Sequence, residues 1–511
     1  MADRETGNWF LNTVKESAAG ILAGPNPREG PNLLTKASLR MRKSKRQQKN
    51  ESTGQLNLFR DHEAKLPSES PDVGNRSGMM SRVELLSLLE DQRAQTENIL
   101  ERIVDYGNLI KSYQQVRKNG GSSGVDKMEV SELQGWLSKH IKRLQEELLT
   151  EQYEVSPLLR VRIPKPNGDT RELGIPTVKD RLVQQAIHQQ LSPFYESVFS
   201  ENSYGFRPGR SAHQAIEQAA KYIQSGNEWV VDLDLEKFFD KINHDRLMQR
   251  LSKGIGDKRL LRLIRSYLRA GVLEDGLSEQ RTAGTPQGGP LSPLLSNIVL
   301  DELDKELERR GHKFCRYADD CNIYVKSRKA GERVLRSITR FIEEKLKLKV
   351  NRDKSGVRHC SDTRFLGYTL LPDGGIRVSD KSIVRLKDKI REITRRNRGV
   401  KFETVIRELN QIIIGWSNYF RLANRWLSTI RDLDSWIRRK LRCYRLKQCG
   451  RRYTIYKFLV SLNQPVGKSW NVVMYSQGWW QMSIKVAVCH GMSNIWFTQQ
   501  GLQSLHNRFL V

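Results

Sequence analysis

The spacing of hydrophobic positions changes along this 511-residue chain. From about Val83, apolar residues recur every three or four positions through ENILERIVDYGNLIKSYQQV, which predicts amphipathic helices. Further on, strand-like stretches such as LLRVRIPKP, EWVVDLDL and KFCRYADDCNIYVK alternate with helical stretches such as KDRLVQQAIHQQL and HDRLMQRLSK. This order predicts a mixed fold of helices and strands rather than an array of repeats.

After Val378 the strand pattern fades and helical periodicity replaces it. In SDKSIVRLKDKIREITRR, one face carries Ile383, Leu386, Ile390 and Ile393, with basic residues around the rest. The first 80 residues are polar and include the basic cluster KASLRMRKSKRQQK, a composition typical of a disordered tail. We therefore predict four regions: a basic leader (1–80), a mixed domain (81–378), a basic helical domain (379–450) and a small α/β appendage that binds nucleic acid (451–511).

The charge balance points to a polyanionic partner. The chain carries 87 Lys and Arg against 58 Asp and Glu, a formal net charge of +29, which attracts nucleic acid or an anionic membrane. No stretch of about 18 apolar residues is present to span a membrane, so we expect a nucleic-acid partner, no membrane, and a cytoplasmic location.

Two other kinds of site are not predicted. The six cysteines lack zinc-binding spacing, so we expect no zinc site, and PVGKSW lacks the first glycine of a P-loop, so we expect no nucleoside-triphosphate hydrolysis there.

Three aspartates form the strongest chemical signal. In EWVVDLDL, the alternation places Asp232 and Asp234 on one strand face, while RYADDCNIYVK sets Asp319 beside Asp320 at a strand turn. Adjacent like charges are destabilising unless a cation joins them. Two Mg²⁺ ions about 3.5–4 Å apart take carboxylate ligands and catalyse phosphoryl transfer. We predict that Asp234, Asp319 and Asp320 bind two Mg²⁺ ions at a polymerising site.

Residues suited to holding a nucleoside triphosphate lie in two other stretches. Lys165 and Arg171 flank an Asn-Gly turn in RIPKPNGDTRELGIP, so that both cations could converge on a triphosphate. In GTPQGGPLSPLLSN, two glycines let a nucleotide approach the backbone beside Gln287. Phe238 or Phe239, just after Asp234, could wall the sugar pocket. Taken singly, each stretch also fits a plain hairpin, a helix cap or a core aromatic.

A cationic helix with interleaved aromatic residues follows the mixed region. Between Trp436 and Tyr453 there are eight basic and no acidic residues. Basic side chains contact phosphates, and aromatic rings stack on bases. We therefore expect structured RNA or a template duplex to bind this helix through Trp436, Arg438, Arg439, Arg442 and Tyr444.

The chain closely resembles the reverse transcriptases encoded by bacterial group II introns in these segments, in order: RIPKPNGDTRELGIPTVKDR, SYGFRPGRSAHQAI, VVDLDLEKFFDKINHD, GTPQGGPLSPLLSNIVLDELD, FCRYADD, LKVNRDKS and RFLGY. The resemblance spans about residues 85–500 and is nearest to the compact type, without a Cys/His-rich nuclease module. It implies an α+β right-hand polymerase, with fingers and palm over 81–378 and a helical thumb or maturase domain over 379–450.

The resemblance also implies a role for individual residues. It makes Asp234, Asp319 and Asp320 the metal-binding triad, with the backbone of Leu235 beside the ions. It implies that Phe239 discriminates between sugars and that Lys354 lies near the pyrophosphate. The remaining nucleotide contacts that it implies are Lys165, Arg171 and Gln287, and its template contacts are Arg207 and Arg210.

By the same resemblance, the protein binds the intron RNA that encodes it and promotes splicing. It then copies an RNA template into cDNA from a DNA primer at a target DNA, with dNTPs as substrates. A retron-like, diversity-generating or defence-associated reverse transcriptase would keep the palm motifs but lack GWSNYFR and the basic helix. A splicing-only cofactor would be expected to have lost a carboxylate of the triad, and all three are present.

Overall fold

The computed structural model describes residues 96–164, 170–274, 277–279, 283–285 and 288–509. The predicted leader, Lys165 and Gln287 lie outside the described residues. For Arg171 the structure describes the backbone, which is paired with Ile163 in a β-hairpin.

Helices come first in the described chain, followed by a hairpin and a long helix. Asp105 caps the second helix and Thr177 the long one, because each side chain accepts a hydrogen bond from a first-turn backbone N–H. The predicted helices are present as α1 (Ile99–Val104), α2 (Tyr106–Asn119) and α4 (Val178–Glu196), and the hairpin as β1 (Leu158–Pro164) and β2 (Thr170–Ile175). The structure adds α3 (Leu133–Leu149) and α5 (Ala212–Gln224).

The central part of the chain builds the sheet that carries the aspartates. Its elements are β3 (Trp229–Leu233), α6 (Phe238–Lys241), α7 (His244–Gly254), α8 (Lys258–Arg269), β4 (Val272–Glu274), β5 (Leu277–Glu279), α9 (Ser292–Arg309), β6 (Lys313–Tyr317), β7 (Asp320–Val325), α10 (Arg328–Phe341) and β8 (Gly356–His359). Strands β6, β7, β3 and β8 pair antiparallel in that order. A second sheet has the order β2-β1-β4-β5.

Helices dominate the chain after a short hairpin, as predicted. These elements are β9 (Tyr368–Leu370), β10 (Ile376–Val378), α11 (Asp380–Ile393), α12 (Phe402–Tyr419), α13 (Leu427–Cys449), α14 (Arg452–Ser461), α15 (Val466–Tyr475), α16 (Trp479–Met482), α17 (Val486–Gly491), α18 (Asn494–Gln499) and α19 (Leu505–Arg508). Leu386, Ile390 and Ile393 are buried on α11, which confirms the predicted face.

The prediction of an α/β appendage after residue 450 is wrong. In the described part of 451–509, every regular element is a helix. The apolar residues of this region have helical spacing, with Ile455 and Leu459 buried on α14 and Val472 and Val473 buried on α15.

Two hydrophobic cores lie on opposite faces of the aspartate sheet. Val231 and Leu233 pack into the first, with α1–α4 and α7–α10, whereas Val230 packs into the second. This confirms the predicted alternation along β3. The second core also contains Tyr368, Trp416 and Leu505, so it joins the sheet to the helices of both C-terminal regions. Among the described residues, no helix is long and apolar enough to cross a membrane.

Candidate active site

Asp234 and Asp320 lie at the same end of the central sheet because β3 and β7 are neighbours. The last antiparallel pair of that ladder joins Leu233 to Cys321, so the next residues outward are Asp234 and Asp320. Strand β6 turns into β7 through Ala318 and Asp319. All three predicted metal ligands are half-buried. The tertiary structure therefore brings together carboxylates that are far apart in the sequence.

Asp320 lies among other carboxylates, which disfavour its ionisation. Burial raises the pKa of this carboxyl well above its usual range, and the nearby carboxylates of Asp232, Asp319 and Asp234 raise it further. Arg364 opposes this rise. Several carboxylates close together cannot all carry a negative charge at low cost. A bound cation would lower this electrostatic repulsion.

Asp232 is a fourth carboxylate that the sequence-based assignment of ligands left out. Its Oδ2 lies 3.1 Å from Nη1 of Arg358 on the neighbouring strand β8. Burial raises the pKa of Asp232, the charge of Arg358 lowers it, and Asp234 raises it. The D-x-D spacing in VVDLDL placed Asp232 on the same strand face as Asp234, but nothing in the sequence identified Arg358 as its partner.

Lys354, which the resemblance places near the pyrophosphate, lies beside Asp234. Its Nζ is 3.4 Å from Oδ2 of Asp234, and its side chain is largely exposed. The chain around Lys354 is tied to the end of β3: the Asn351 amide donates to the carbonyl of Asp234, and Ser355 Oγ accepts from the Asp234 amide at 2.9 Å. Leu235 forms an isolated bridge with Val350 in the same region.

A buried arginine holds the turn that carries Asp319. Arg316 Nε and Nη2 bind the two carboxylate oxygens of Asp304 at 2.7 and 2.5 Å. Nη1 donates to Asn297 Oδ1 at 3.0 Å and to the Ala318 carbonyl at 2.9 Å, while Nη2 also donates to Ser203 Oγ at 2.7 Å. All five guanidinium donors are therefore used, as a buried arginine requires.

The backbone of this turn is packed against a glycine from another segment. Ala318 has φ +58°, a left-handed conformation that a non-glycine residue seldom adopts. A Cβ at Gly205 would lie 2.2 Å from the amide nitrogen of Ala318. Gly205 of SYGFRPGR is thus required by close packing behind the turn that carries Asp319.

The two phenylalanines after Asp234 differ in burial. Phe238 is 2% exposed and belongs to the first core, whereas Phe239 is half-buried, with its ring at 5.2 Å and 66° from that of Phe238. The Phe239 carbonyl accepts from the Thr285 amide at 2.7 Å, which ties it to the GTPQGG segment. Only Phe239 leaves part of its ring outside the core, so it is the better candidate to contact a sugar.

The predicted template arginines have different environments. Arg207 is buried, pairs with Glu196 at 2.9 Å and donates to the carbonyls of Ser200 and Ser203. It therefore stabilises its loop and does not offer its guanidinium to a template. Arg210 is partly exposed and pairs with Glu201.

The basic helix α13 presents only some of its predicted residues to solvent. Tyr444 is 3% exposed and donates to the Val400 carbonyl at 2.7 Å, so its ring is not available for base stacking. Arg442 donates to the Met492 carbonyl and thereby holds the C-terminal helices. Arg438 is 3.6 Å from Asp434.

A cation–aromatic ladder joins α13 to α16 and was missed in the sequence. Arg439 Cζ lies 3.6 Å from the ring centre of Trp480. Lys440 Nζ lies 5.1 Å from the same ring and 5.5 Å from that of Trp436. Because Trp480 is 41% exposed, one end of this ladder is open to a partner. The GWWQMS stretch is aromatic, but its pairing with α13 depends on the tertiary fold.

The residues of the site fit a divalent metal by chemistry and charge. Among the described residues, no three His, Cys, Asp or Glu side chains already stand close enough together to enclose a metal ion. The carboxylates around Asp320 nevertheless supply the hard oxygen donors that Mg²⁺ takes. Burial, together with repulsion from these carboxylates, raises the pKa of Asp320.

Two protein families match the chain in succession. Residues 163–370 match "Reverse transcriptase (RNA-dependent DNA polymerase)", and residues 383–458 match "Group II intron, maturase-specific domain". Protein YkfC of Escherichia coli K12 is 36% identical over 293 residues, which cover 50% of this chain and 77% of YkfC. The chain belongs to the group II intron reverse transcriptase family. The predicted class is confirmed: an RNA-directed DNA polymerase followed by a maturase domain.

This chain matches only part of the length of two other similar proteins. The group II intron-encoded protein LtrA of Lactococcus lactis subsp. cremoris is 30% identical, over 55% of this chain and 57% of LtrA. The putative COX1/OXI3 intron 2 protein of Saccharomyces cerevisiae is also 30% identical, over 56% of this chain and 40% of that protein. Among solved structures, a partial Cas6-RT-Cas1–Cas2 complex aligns with 48% of this chain and 42% of that chain, at 27% identity and a TM-score of 0.32.

Proposed function

We propose that this chain copies an RNA template into cDNA by two-metal nucleotidyl transfer and binds the group II intron RNA that encodes it. The observation that carries the proposal is the position of Asp234 beside Asp320 at one end of the β3–β7 ladder, with Lys354 against them. Its partners are the RNA template, a DNA primer, dNTPs, the intron RNA as a ribonucleoprotein, and target DNA. We propose the bacterial cytoplasm as its location, since those partners are found there.

In this mechanism, Asp234, Asp319 and Asp320 would hold two Mg²⁺ ions, together with the backbone of Leu235. Bound Mg²⁺ supplies acidification of the primer 3′-hydroxyl and neutralisation of the departing pyrophosphate. The protein contributes positioning and charge balance. Lys354 exchanges its contact with Asp234, 3.4 Å in the free site, for a phosphate oxygen of the nucleotide.

The nucleotide pocket is completed by residues from three other stretches. Lys165 and Arg171 bind the triphosphate, and Gln287 contacts the incoming nucleotide. Phe239 excludes a 2′-hydroxyl. Support for Phe239 comes from its half-buried ring, and the roles of Lys165, Arg171 and Gln287 remain predictions from the sequence.

For the regions that follow the palm, we propose that residues 379–450 form the thumb or maturase domain and 451–511 a nucleic-acid-binding extension. RNA contacts the exposed end of the ladder formed by Trp436, Arg439, Lys440 and Trp480. Its cations bind phosphates, and the open ring of Trp480 stacks on a base. Arg438 and Arg442 act through their intramolecular contacts, which hold α13 in place.

A primer-extension assay tests the polymerase proposal. The full chain is given a DNA primer annealed to an RNA template and the four dNTPs. We expect extension with Mg²⁺, loss of extension with excess EDTA, and loss in Asp320→Asn, because the latter removes a metal ligand. A wild-type chain that does not extend the primer at any Mg²⁺ concentration would contradict the proposal. For the maturase role, splicing of the intron RNA that flanks the coding sequence is measured with and without the chain.

A further inference from the structure

Arg358 joins the aspartate strand β3 to the loop that carries Lys354. On one side, its Nη1 lies 3.1 Å from Oδ2 of Asp232. On the other side, its Nη2 donates to the backbone carbonyl of Lys354 at 3.1 Å. The Lys354 ammonium in turn lies 3.4 Å from Oδ2 of Asp234. One guanidinium therefore connects a carboxylate beside the proposed metal site to the backbone of the lysine that is proposed to bind the nucleotide.

The Lys354 side chain depends on its backbone for direction. The loop leads into β8, which is an edge strand and pairs with β3 alone among the described strands. Contacts from Asn351 and Ser355 fix the loop to the backbone of Asp234. The Lys354 side chain extends from this loop and is 69% exposed. The orientation of its peptide group therefore decides where the ammonium lies, and an error of about 1 Å is costly in a reacting site.

Stability alone does not explain the pair between Asp232 and Arg358. The two side chains are 25% and 39% exposed. Ion pairs that remain in contact with water contribute little to the free energy of unfolding. The same two charges lie next to a site where metal and phosphate are proposed to bind, and there the position of each charge affects the chemistry.

Asp232 is set back from the strand end that carries the triad. In the β3–β7 ladder it is paired with Asn322, whereas Asp234 lies beyond the last pair. Two residues along a strand correspond to roughly 6.5 Å. The Oδ2 atom of Asp232 also faces Arg358. This geometry favours an anchor for the arginine over a fourth metal ligand.

We propose that Arg358 is a positioning residue for nucleotidyl transfer: anchored by Asp232, it holds the Lys354 backbone so that the Lys354 ammonium meets the departing pyrophosphate. The inference rests on the proposed polymerase function and adds Arg358 and Asp232 to it. Arginine suits this role because its planar fork binds two acceptors in fixed directions, whereas a lysine has a single nitrogen.

Inhibition by inorganic pyrophosphate tests the link to Lys354. The full chain extends a DNA primer on an RNA template with Mg²⁺, and the Ki of pyrophosphate is measured for each variant. We expect Lys354→Ala to raise the Ki roughly tenfold or more, because a hydrogen bond between charged groups is lost. Arg358→Ala should raise it roughly threefold or more, and should add nothing further in the Lys354→Ala background. A wild-type Ki in Arg358→Ala, or additive effects, would overturn the positioning role.

Two further variants separate the fork from its charge. Arg358→Lys keeps the positive charge but not the two-acceptor geometry, so its Ki should rise as in Arg358→Ala. Recovery of the wild-type Ki in Arg358→Lys would mean that charge alone acts, and would overturn the proposal. Arg352→Ala is the matched control, since this arginine of the same loop is 78% exposed and pairs with Glu343 at 3.3 Å. Its Ki should match wild type.

Asp232→Asn distinguishes an anchor from a metal ligand. The amide keeps an oxygen acceptor for Arg358, so the Ki should rise less than in Arg358→Ala. The Mg²⁺ concentration for half-maximal extension should change little. A fall in extension by several orders of magnitude, as expected for Asp319→Asn, would identify Asp232 as a metal ligand and overturn its role as an anchor.

Amide hydrogen exchange provides a readout without metal or catalysis. The amides of Lys354 and Ser355 both donate to the Asn351 carbonyl. In the metal-free chain, peptides that cover residues 350–357 should exchange faster in Arg358→Ala than in wild type, and Arg352→Ala should not change them. Unchanged exchange in Arg358→Ala would overturn the proposal. A wild-type chain that does not extend primers would instead contradict the polymerase function, so the two failures are distinguishable.

Discussion

Arg316 and Asp304 form a buried two-point ion pair directly behind the turn that carries Asp319, with Nε···Oδ1 at 2.7 Å and Nη2···Oδ2 at 2.5 Å. Arg316→Lys keeps the positive charge but has three donors on one nitrogen, so it cannot replace all five hydrogen bonds of the guanidinium. A lysine that pairs with Asp304 would leave the Ala318 carbonyl without its donor. We expect kcat for primer extension to fall roughly tenfold or more, with the KM for dNTP much less changed. Steady-state kinetics on a homopolymer template measures both.

The control is Arg309→Lys, which alters an exposed arginine that pairs with Glu306 on the same helix. Its kinetics should match wild type because exposed ion pairs contribute little. Arg316→Met should lower the free energy of unfolding by about 3–5 kcal/mol, since Asp304 would remain buried without its partner. If Arg316→Lys extends primers normally, the guanidinium does not position the turn.

Asp319→Asn should reduce extension by several orders of magnitude while leaving RNA affinity nearly unchanged. The substitution removes a metal ligand and no basic residue that binds phosphates. Extension rates and filter binding to the same RNA measure the two effects. Asp362→Asn, an exposed aspartate, makes the same change of charge outside the triad and should behave as wild type. Near-normal extension by Asp319→Asn would contradict the assignment of the triad.

Phe239→Ala should lower the preference for dNTP over rNTP, measured as the ratio of their kcat/KM values, by roughly tenfold or more. In the proposed role, the half-buried ring excludes the 2′-hydroxyl of an rNTP, and its removal would open that space. Phe238→Ala is the comparison: this ring is in the core, so its removal should cost about 3–5 kcal/mol of stability and leave the sugar preference intact. If the preference for dNTP over rNTP fell in Phe238→Ala and not in Phe239→Ala, the sugar-discriminating residue would be Phe238 instead.

Arg439→Ala with Lys440→Ala should weaken RNA binding and shallow its dependence on salt, because two cations near the exposed Trp480 would no longer displace counterions. Splicing should fall more than extension of a preformed primer–template. Arg442→Ala should instead lower stability, since it removes the contacts to the Met492 carbonyl. Binding isotherms across a salt series, together with urea unfolding, distinguish these effects. Equal losses in splicing and extension would mean that Arg439 and Lys440 serve only the polymerase.

The stability of the junction between α5 and α12 should depend on pH. Burial holds the pKa of His213 below its usual range, and its Nε2 lies 2.7 Å from the Tyr419 carbonyl. In the unfolded chain, His213 therefore takes up a proton at about pH 6.5, whereas in the folded chain it takes up this proton only at lower pH. This contribution to stability is full above that pH and is lost as the pH falls below it. Urea midpoints between pH 5 and 7.5 measure it.

His213→Gln keeps a donor toward the Tyr419 carbonyl but does not titrate. We expect its urea midpoint to vary less with pH than that of wild type. Part of the slope should remain, because burial also lowers the pKa of His188. An unchanged slope in His213→Gln would assign the pH dependence to other groups.

Local patterns in the sequence were sufficient to predict many elements and the three carboxylates. The alternation in EWVVDLDL correctly separated the two faces of β3, and the helical spacing correctly oriented α11, because both depend on residues close in sequence. The prediction of a small α/β appendage for the last 60 residues was wrong, since residues such as Val472 and Val473 are buried there by helix packing.

The sequence by itself determined which residue types are proposed for the chemistry: three aspartates, the phenylalanine pair that follows Asp234, and a basic composition with a long stretch free of acidic residues after Asp434. Only the tertiary structure decided which of these residues meet. It paired Asp232 with Arg358, put Arg316 behind the turn and buried Tyr444. These outcomes depend on contacts between residues far apart in the chain. The packing of whole helices and strands decides which side chains are buried. Local periodicity carries no information about which distant residue a side chain will contact.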